Sequence, residues 1–140
     1  MKSIDDIQRE IVEEFAVYDE WLDKYEYLID LGRELPLAAE GDKTDANLIE
    51  GCQSRVWLTC TRDEDGRLHF AADSDAIITK GLISLLIRVF EGQTPADILA
   101  ADLHFIDDIG LKENLSPTRA GGLAAMIKRI RSYAESFAEG

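Results

Sequence analysis

Two cysteines, Cys52 and Cys60, are the strongest nucleophiles in this 140-residue chain. Cys52 lies in the run Gly51-Cys52-Gln53-Ser54-Arg55-Val56-Trp57, between a polar stretch and an alternating apolar segment. A thiol there can be presented at a loop tip on a rigid scaffold, where reactive groups are often found. Gly51 frees the backbone for angles closed to other residues and leaves room beside the sulfur. Gln53 and Ser54 supply short-range donors able to hydrogen-bond a thiolate or a terminal persulfide sulfur. Thiol exchange needs a thiolate, access and a line of attack on the donor sulfur. It needs no metal and no charge relay, so one accessible cysteine suffices to accept sulfur but not to hydrolyse a substrate. The competing reading is that Cys52 is a small buried hydrophobe, a common fate of free cysteine.

The other reactive side chains read differently. Cys60 shares a strand face with Val56 and Leu58 and is expected to be a core thiol. His69 and His104 are the candidate bases for a cysteine nucleophile. His69 alternates away from Leu68 and Phe70, which predicts a solvated strand position; His104 lies in a segment of unassigned structure. Asp107 and Asp108 resemble a solvated acidic pair more than a metal site. Arg119 stands three residues after a helix cap, where a cation is mildly unfavourable against the dipole.

The elements that must position these residues follow from periodicity. Ser3 can cap a helix carrying Ile4, Ile7, Ile11 and Phe15 at spacings of three and four. A second helix carries Trp21, Leu22, Tyr25, Leu28 and Ile29, with Gly32 as its stop. Pro36 opens a loop, and Gly41 to Asn47 is small, polar and expected to be mobile. Residues Arg55 to Thr61 and Arg67 to Ala72 alternate around the turn Asp63-Glu64-Asp65-Gly66, an antiparallel hairpin that a short strand at Leu48-Ile49 can join. Asp73-Ser74-Asp75 then opens a long central helix with Ile77, Ile78, Leu82, Leu85, Leu86, Val89 and Phe90, ended by Gly92. Thr94-Pro95-Ala96-Asp97 predicts a short helix through Leu99, and Ser116-Pro117 repeats the signature. The last helix carries Leu123, Ile127, Ile130, Ala134 and Phe137 on its core face. Leu103 to Leu111 stays unassigned. The order predicts one α+β domain over residues 1–140, with helices packed on a small antiparallel sheet.

Bulk properties narrow the function. With 46% hydrophobic residues, a packed core is expected. Fifteen basic against 28 acidic side chains give a net charge of −13, which repels nucleic acid and anionic lipid and points to a partner with a basic or neutral docking patch. No segment has the ~20 apolar residues of a membrane span, and Met1 to Asp6 lacks a signal-peptide core. A cytoplasmic location with reduced thiols is expected, which disfavours a Cys52–Cys60 disulfide. Two cysteines are too few for a structural zinc or cluster site, so no metal is expected.

These motifs together resemble the SufE family of cysteine desulfurase sulfur acceptors, over almost the whole chain. Trp21 to Gly32 followed by Leu35-Pro36 is similar to the family's second helix, and Asn47 to Trp57 to its active loop. Ser74 to Ile83 is similar to the start of its central helix, and Thr94-Pro95 and Leu115 to Leu123 complete the set. The resemblance implies that Cys52 is the acceptor cysteine and that the partner is a SufS-type cysteine desulfurase. That enzyme carries pyridoxal phosphate, so this chain is expected to need no cofactor of its own. The resemblance further implies stimulation of the desulfurase and onward delivery of sulfur to an iron–sulfur scaffold, with no independent turnover. Arg119, in Ser116-Pro117-Thr118-Arg119, stands where the family keeps an arginine near the cysteine loop, a possible helper. Residues 38 to 46 match no family motif, and Cys60 is no part of the pattern. The alternative function is a non-catalytic acidic adaptor that regulates a partner by binding alone. A cysteine hydrolase using His69 or His104 is a third reading, without a supporting motif.

Overall fold

The computed structural model describes residues 2–139. Its elements run α1 (Ile4–Ala16), α2 (Trp21–Arg33), β1 (Val56–Arg62), β2 (Leu68–Ser74), α3 (Ile77–Phe90), α4 (Pro95–Ala100), α5 (Phe105–Asp108) and α6 (Pro117–Glu139). The class is α+β, with helices packed on a two-stranded antiparallel sheet. Val56 pairs with Ser74 and Cys60 with Phe70 in the hairpin register. The expected third strand at Leu48-Ile49 reduces to an isolated antiparallel bridge from Leu48 to Trp57. Asp45–Asn47 forms a 3-10 turn just before it, which leaves no length for a strand.

α3 is the centre, packed by α1, α2, α6 and β2. Leu82, Ile83, Leu85, Leu86, Ile87, Val89 and Phe90 are all buried, so its apolar character wraps most of its circumference. α2 crosses α3 at two glycines. A Cβ on Gly81 would stand 2.3 Å from the Leu28 carbonyl oxygen, and one on Gly32 would stand 2.9 Å from the Gly81 nitrogen. α2 ends at Arg33, one residue past the stop the sequence suggested, but Gly32 itself is still helical. It lies inside α2, buried, because the backbones meet there.

The start of α3 also differs from expectation. Asp73 and Ser74 extend β2, and the helix begins at Ile77 with no side-chain cap. Ile77, expected in the core face, is 65% exposed at the first helical position. The remaining caps hold: Ser3 Oγ accepts from the Asp6 N–H, Thr94 Oγ1 from Asp97 and Ser116 Oγ from Arg119. The segment left unassigned folds as the single turn α5, pinned by the buried Gln8, whose Oε1 accepts from the Phe105 N–H and whose Nε2 donates to the Asp102 carbonyl. In α6, Leu123, Ile130 and Ala134 are buried as expected, Ile127 and Phe137 only partly, and Met126 joins them.

The polar stretch before the cysteine is more ordered than its composition suggested. Glu40–Asp42 and Asp45–Asn47 are short 3-10 turns. Lys43 Nζ reaches Asp73 at 2.6 Å and sits over the Trp57 ring, and Arg129 donates to the Ala46 carbonyl at 2.6 Å. These tethers fasten the segment to both β2 and α6.

Candidate functional site

Cys52 rides a tip formed by residues 50–55. The Ile49 N–H donates to the Val56 carbonyl at 2.8 Å and closes the tip at its base. On the exit side, Asp75 Oδ1 accepts from the Arg55 N–H, while the Asp75 N–H and the Ser74 hydroxyl donate to the Arg55 carbonyl. Ser74 and Asp75 thus anchor the cysteine tip instead of capping α3, and Asp73 holds Lys43 and Lys80.

The tip lies on the first turns of α6. Gly51 has φ +93°, the left-handed region that favours glycine, and a Cβ there would press on the Ala125 methyl at 3.2 Å. Cys52 Sγ is 3.5 Å from the carbonyl oxygen of Gly122, to which the thiol donates. A Cβ on Gly122 would sit 3.5 Å from the same sulfur. Two adjacent glycines in a helix weaken it by roughly 1 kcal/mol each relative to alanine. At Gly122 an added methyl would make ordinary contact with the Cys52 sulfur, so the closeness of the tip to α6 does not depend on glycine there.

Beside the sulfur is a cavity of about 360 Å³. Cys52, Gln53 and Ser54 form one wall, and Ser116, Thr118, Arg119 and Gly122 form the other. Thr79, Leu82 and Met126 close the inner end. The structure therefore gathers Cys52, Gln53, Ser54 and Arg119 around one space, while Gly51 is not in its lining and lies by Ala125 instead. Arg119 is exposed and makes no ion pair among the described residues. Thr79, Thr118, Gly122 and Met126 are the lining residues that periodicity did not single out. The Gly121-Gly122 pair inside a helical pattern was the one available signal for a close approach.

The electrostatics keep the thiol protonated in this packed position. Burial pushes the Cys52 pKa up, since a half-buried thiolate loses hydration. Cys60 is half-buried against the core, and burial first, then the charge of Glu91, pushes its pKa up to about 12.

Neither histidine reaches the cavity. His69 is held between Asp63 and Glu91, and His104 between Asp5 and Asp108. Each pair of carboxylates occupies both ring nitrogens, so neither imidazole is free to act on Cys52. Asp108 thereby has an ion-pair role. No cluster of His, Cys, Asp or Glu among the described residues is arranged to hold a metal ion. No helix among them is long and apolar enough to cross a membrane.

The chain is thus a small α+β domain that displays Cys52 beside a helix-lined cavity. Residues 9–134 match the SufE family, described as an Fe-S metabolism associated domain. An uncharacterized SufE-like protein of Rhizobium meliloti strain 1021 is 44% identical over 130 residues, covering 90% of this chain and 93% of that protein. A second uncharacterized SufE-like protein, from Rhizobium etli, is 40% identical over 130 residues, covering 90% of this chain and 88% of its own length. The chain belongs to the SufE family, and with it to iron–sulfur metabolism. A solution structure of a hypothetical protein from Thermus thermophilus superposes with a TM-score of 0.77 over 96% of this chain and 97% of that one. At 20% identity that likeness speaks for the fold alone.

Proposed function

We propose that the chain is a sulfur acceptor that takes the terminal sulfur of a desulfurase persulfide onto Cys52 and hands it on for iron–sulfur cluster assembly. The observation that carries this reading is the seat of Cys52: a tip thiol, half-buried, facing a cavity with room for an added sulfur atom. In the transfer, the Cys52 thiolate attacks the outer sulfur of the persulfide on a SufS-type desulfurase. A new S–S bond forms to Cys52 Sγ, the donor's S–S bond breaks, and the donor cysteine leaves as a thiolate. No net oxidation occurs, so no cofactor is required on this chain; the pyridoxal phosphate chemistry stays with the donor.

The packed tip supports storage better than attack. A thiol bonded to the Gly122 carbonyl must be lifted out to become a nucleophile. A persulfide folded back beside Gln53, Ser54 and Thr118 would be screened from stray oxidants and reductants. Lifting parts the bond of Cys52 to the Gly122 carbonyl, while the Ile49–Val56 and Arg55–Asp75 bonds at the base can remain.

The test is desulfurase turnover with cysteine in the presence of the chain. Wild type is expected to stimulate turnover and Cys52→Ser to abolish the stimulation. Full stimulation by Cys52→Ser would replace this reading with that of an adaptor acting through binding alone.

A further inference from the structure

The charges of this acidic chain are not evenly spread. Between Asn114 and Ala134 there is no carboxylate, yet Arg119, Lys128, Arg129 and Arg131 fall there. Elsewhere Lys2, Arg9, Arg33, Lys43, Lys80 and Arg88 pair with carboxylates, while Lys24, Arg55, Arg62 and Lys112, which make no ion pair among the described residues, are scattered along the chain among acidic neighbours. Among the described residues, none of the four α6 cations pairs with a carboxylate. Arg129 and Arg131 are held by backbone carbonyls, of Ala46 and Ala101. A neutral carbonyl orients a guanidinium without cancelling its charge. The Nε of Arg131 is also buried with no hydrogen-bond partner.

The same stretch of α6 is cut low. Gly121, Ala124, Lys128 and Ser132 form an exposed stripe at spacings of three and four. On one side of Lys128 lies a hollow of about 210 Å³ lined by Ile49, Glu50, Ala125 and Arg129; on the other lies one of about 470 Å³ lined by Ala124, Ile127, Arg131 and Glu135. Glu50 and Glu135 are the carboxylates in these walls, and neither pairs with the cations. The first hollow adjoins the cysteine tip directly, since Ala125 is also the neighbour of Gly51. From Gly122, under Cys52, to Arg131 is about 14 Å along the helix.

We infer that this uncompensated basic face of α6, from Ala124 to Ser132, is the docking surface for a sulfur donor whose own reactive cysteine is rimmed by carboxylates. The inference rests on the sulfur-acceptor reading above and names the chemistry of the partner. It reverses what net charge suggested, because recognition is local. At physiological salt, charges more than about 8 Å away are screened, so a docking partner feels Lys128, Arg129 and Arg131 more than the acidic bulk. Low side chains at Gly121, Ala124 and Ser132 let the partner approach closely. Repulsion from the acidic remainder then favours the one orientation that brings the two cysteines together.

The experiment measures transfer from a SufS-type desulfurase with cysteine, as a function of carrier concentration and salt, for Lys128→Glu and Ala124→Glu. Both positions are exposed and their side chains make no hydrogen bond or ion pair among the described residues, and melting curves check that the variants are folded. Arg33→Glu, a cation on α2, is the control. The expected result is an increase of about five- to tenfold in the carrier concentration for half-maximal transfer in both face variants, with an unchanged maximal rate and none of this in the control. Loading of Cys52 by inorganic polysulfide, which requires no docking, is expected to stay at the wild-type level throughout. Face variants that behave like Arg33→Glu, or wild-type transfer indifferent to salt, would overturn the docking proposal while leaving Cys52 as the carrier. Failure of wild type to load from the desulfurase, with polysulfide loading intact, would overturn the acceptor reading and the docking proposal together. Variants that lose binding to anionic vesicles or RNA but keep normal transfer would assign the face to those polyanions instead.

Discussion

Transfer through Cys52 needs a thiolate, and the packed tip disfavours one. Burial favours the neutral thiol, which donates to the Gly122 carbonyl. The native chain should therefore react with iodoacetamide at Cys52 more slowly than the denatured chain, and at Cys60 more slowly still. Equal rates at Cys52 in both states would contradict a sheltered position. Gly51 offers a way to loosen the seat. Alanine there meets both an unfavourable positive φ and the Ala125 methyl, so Gly51→Ala should cost about 1 kcal/mol and speed Cys52 alkylation in the native chain. A slower reaction would show that the tip is held by something other than this contact. At this scale the sequence was informative about types and silent about surroundings. Glycine before a loop cysteine was legible, as were Gln53 and Ser54. That Cys52 bonds to Gly122, 70 positions away, is a tertiary fact that no local pattern carries.

Glycines on two helices lead to contrasting expectations. α2 and α3 touch at Gly32 and Gly81, where a methyl group has no room. Gly81→Ala should destabilise the fold by about 2–4 kcal/mol, since rigid backbone must move. Gly121→Ala adds a methyl into open space on α6 and should stabilise by about 0.5–1 kcal/mol. Urea unfolding separates the two; a neutral Gly81→Ala would show that the crossing can spread. The same comparison explains which elements were readable. Ser3, Thr94 and Ser116 act through bonds to N–H groups three residues on, a local rule, and all three caps stand. Gly32 read as a stop because glycine commonly ends helices, yet here its missing side chain serves a neighbour distant in sequence. Asp73-Ser74-Asp75 read as a cap for the same local reason, but those groups are taken by Lys43, Lys80 and Arg55.

Across the whole molecule, the two histidines act as electrostatic clasps. His69 joins the hairpin turn to the end of α3, and His104 joins α1 to α5. Hydrogen bonds to Asp63 and then Glu91 raise the His69 pKa above its ordinary 6.5, and those to Asp108 and then Asp5 raise that of His104. A raised folded pKa stabilises below the unfolded value, and that contribution is lost as pH rises through the folded one. Asp5 and Asp63, lowered chiefly by their histidines, work at the other limit: their contribution is present above the ordinary carboxylate value and fades as acid protonates them. Thermal melts between about pH 6 and pH 8 should show Tm falling more steeply for wild type than for His69→Gln/His104→Gln. Parallel slopes would mean that the clasps contribute nothing. The α+β class was legible from element order. The charge pattern was not legible from the total of −13, because α6 gathers unpaired cations beside the cysteine while the carboxylates crowd elsewhere.

Peptide mass mapping tests the proposed role of Cys52 as the sulfur carrier most directly. After incubation with a SufS-type desulfurase and cysteine, and protection of thiols by alkylation, the peptide holding Cys52 should gain about 32 Da, the mass of one sulfur atom, and the peptide holding Cys60 should not. A gain on Cys60, or none on Cys52 while the desulfurase is active, would contradict the account.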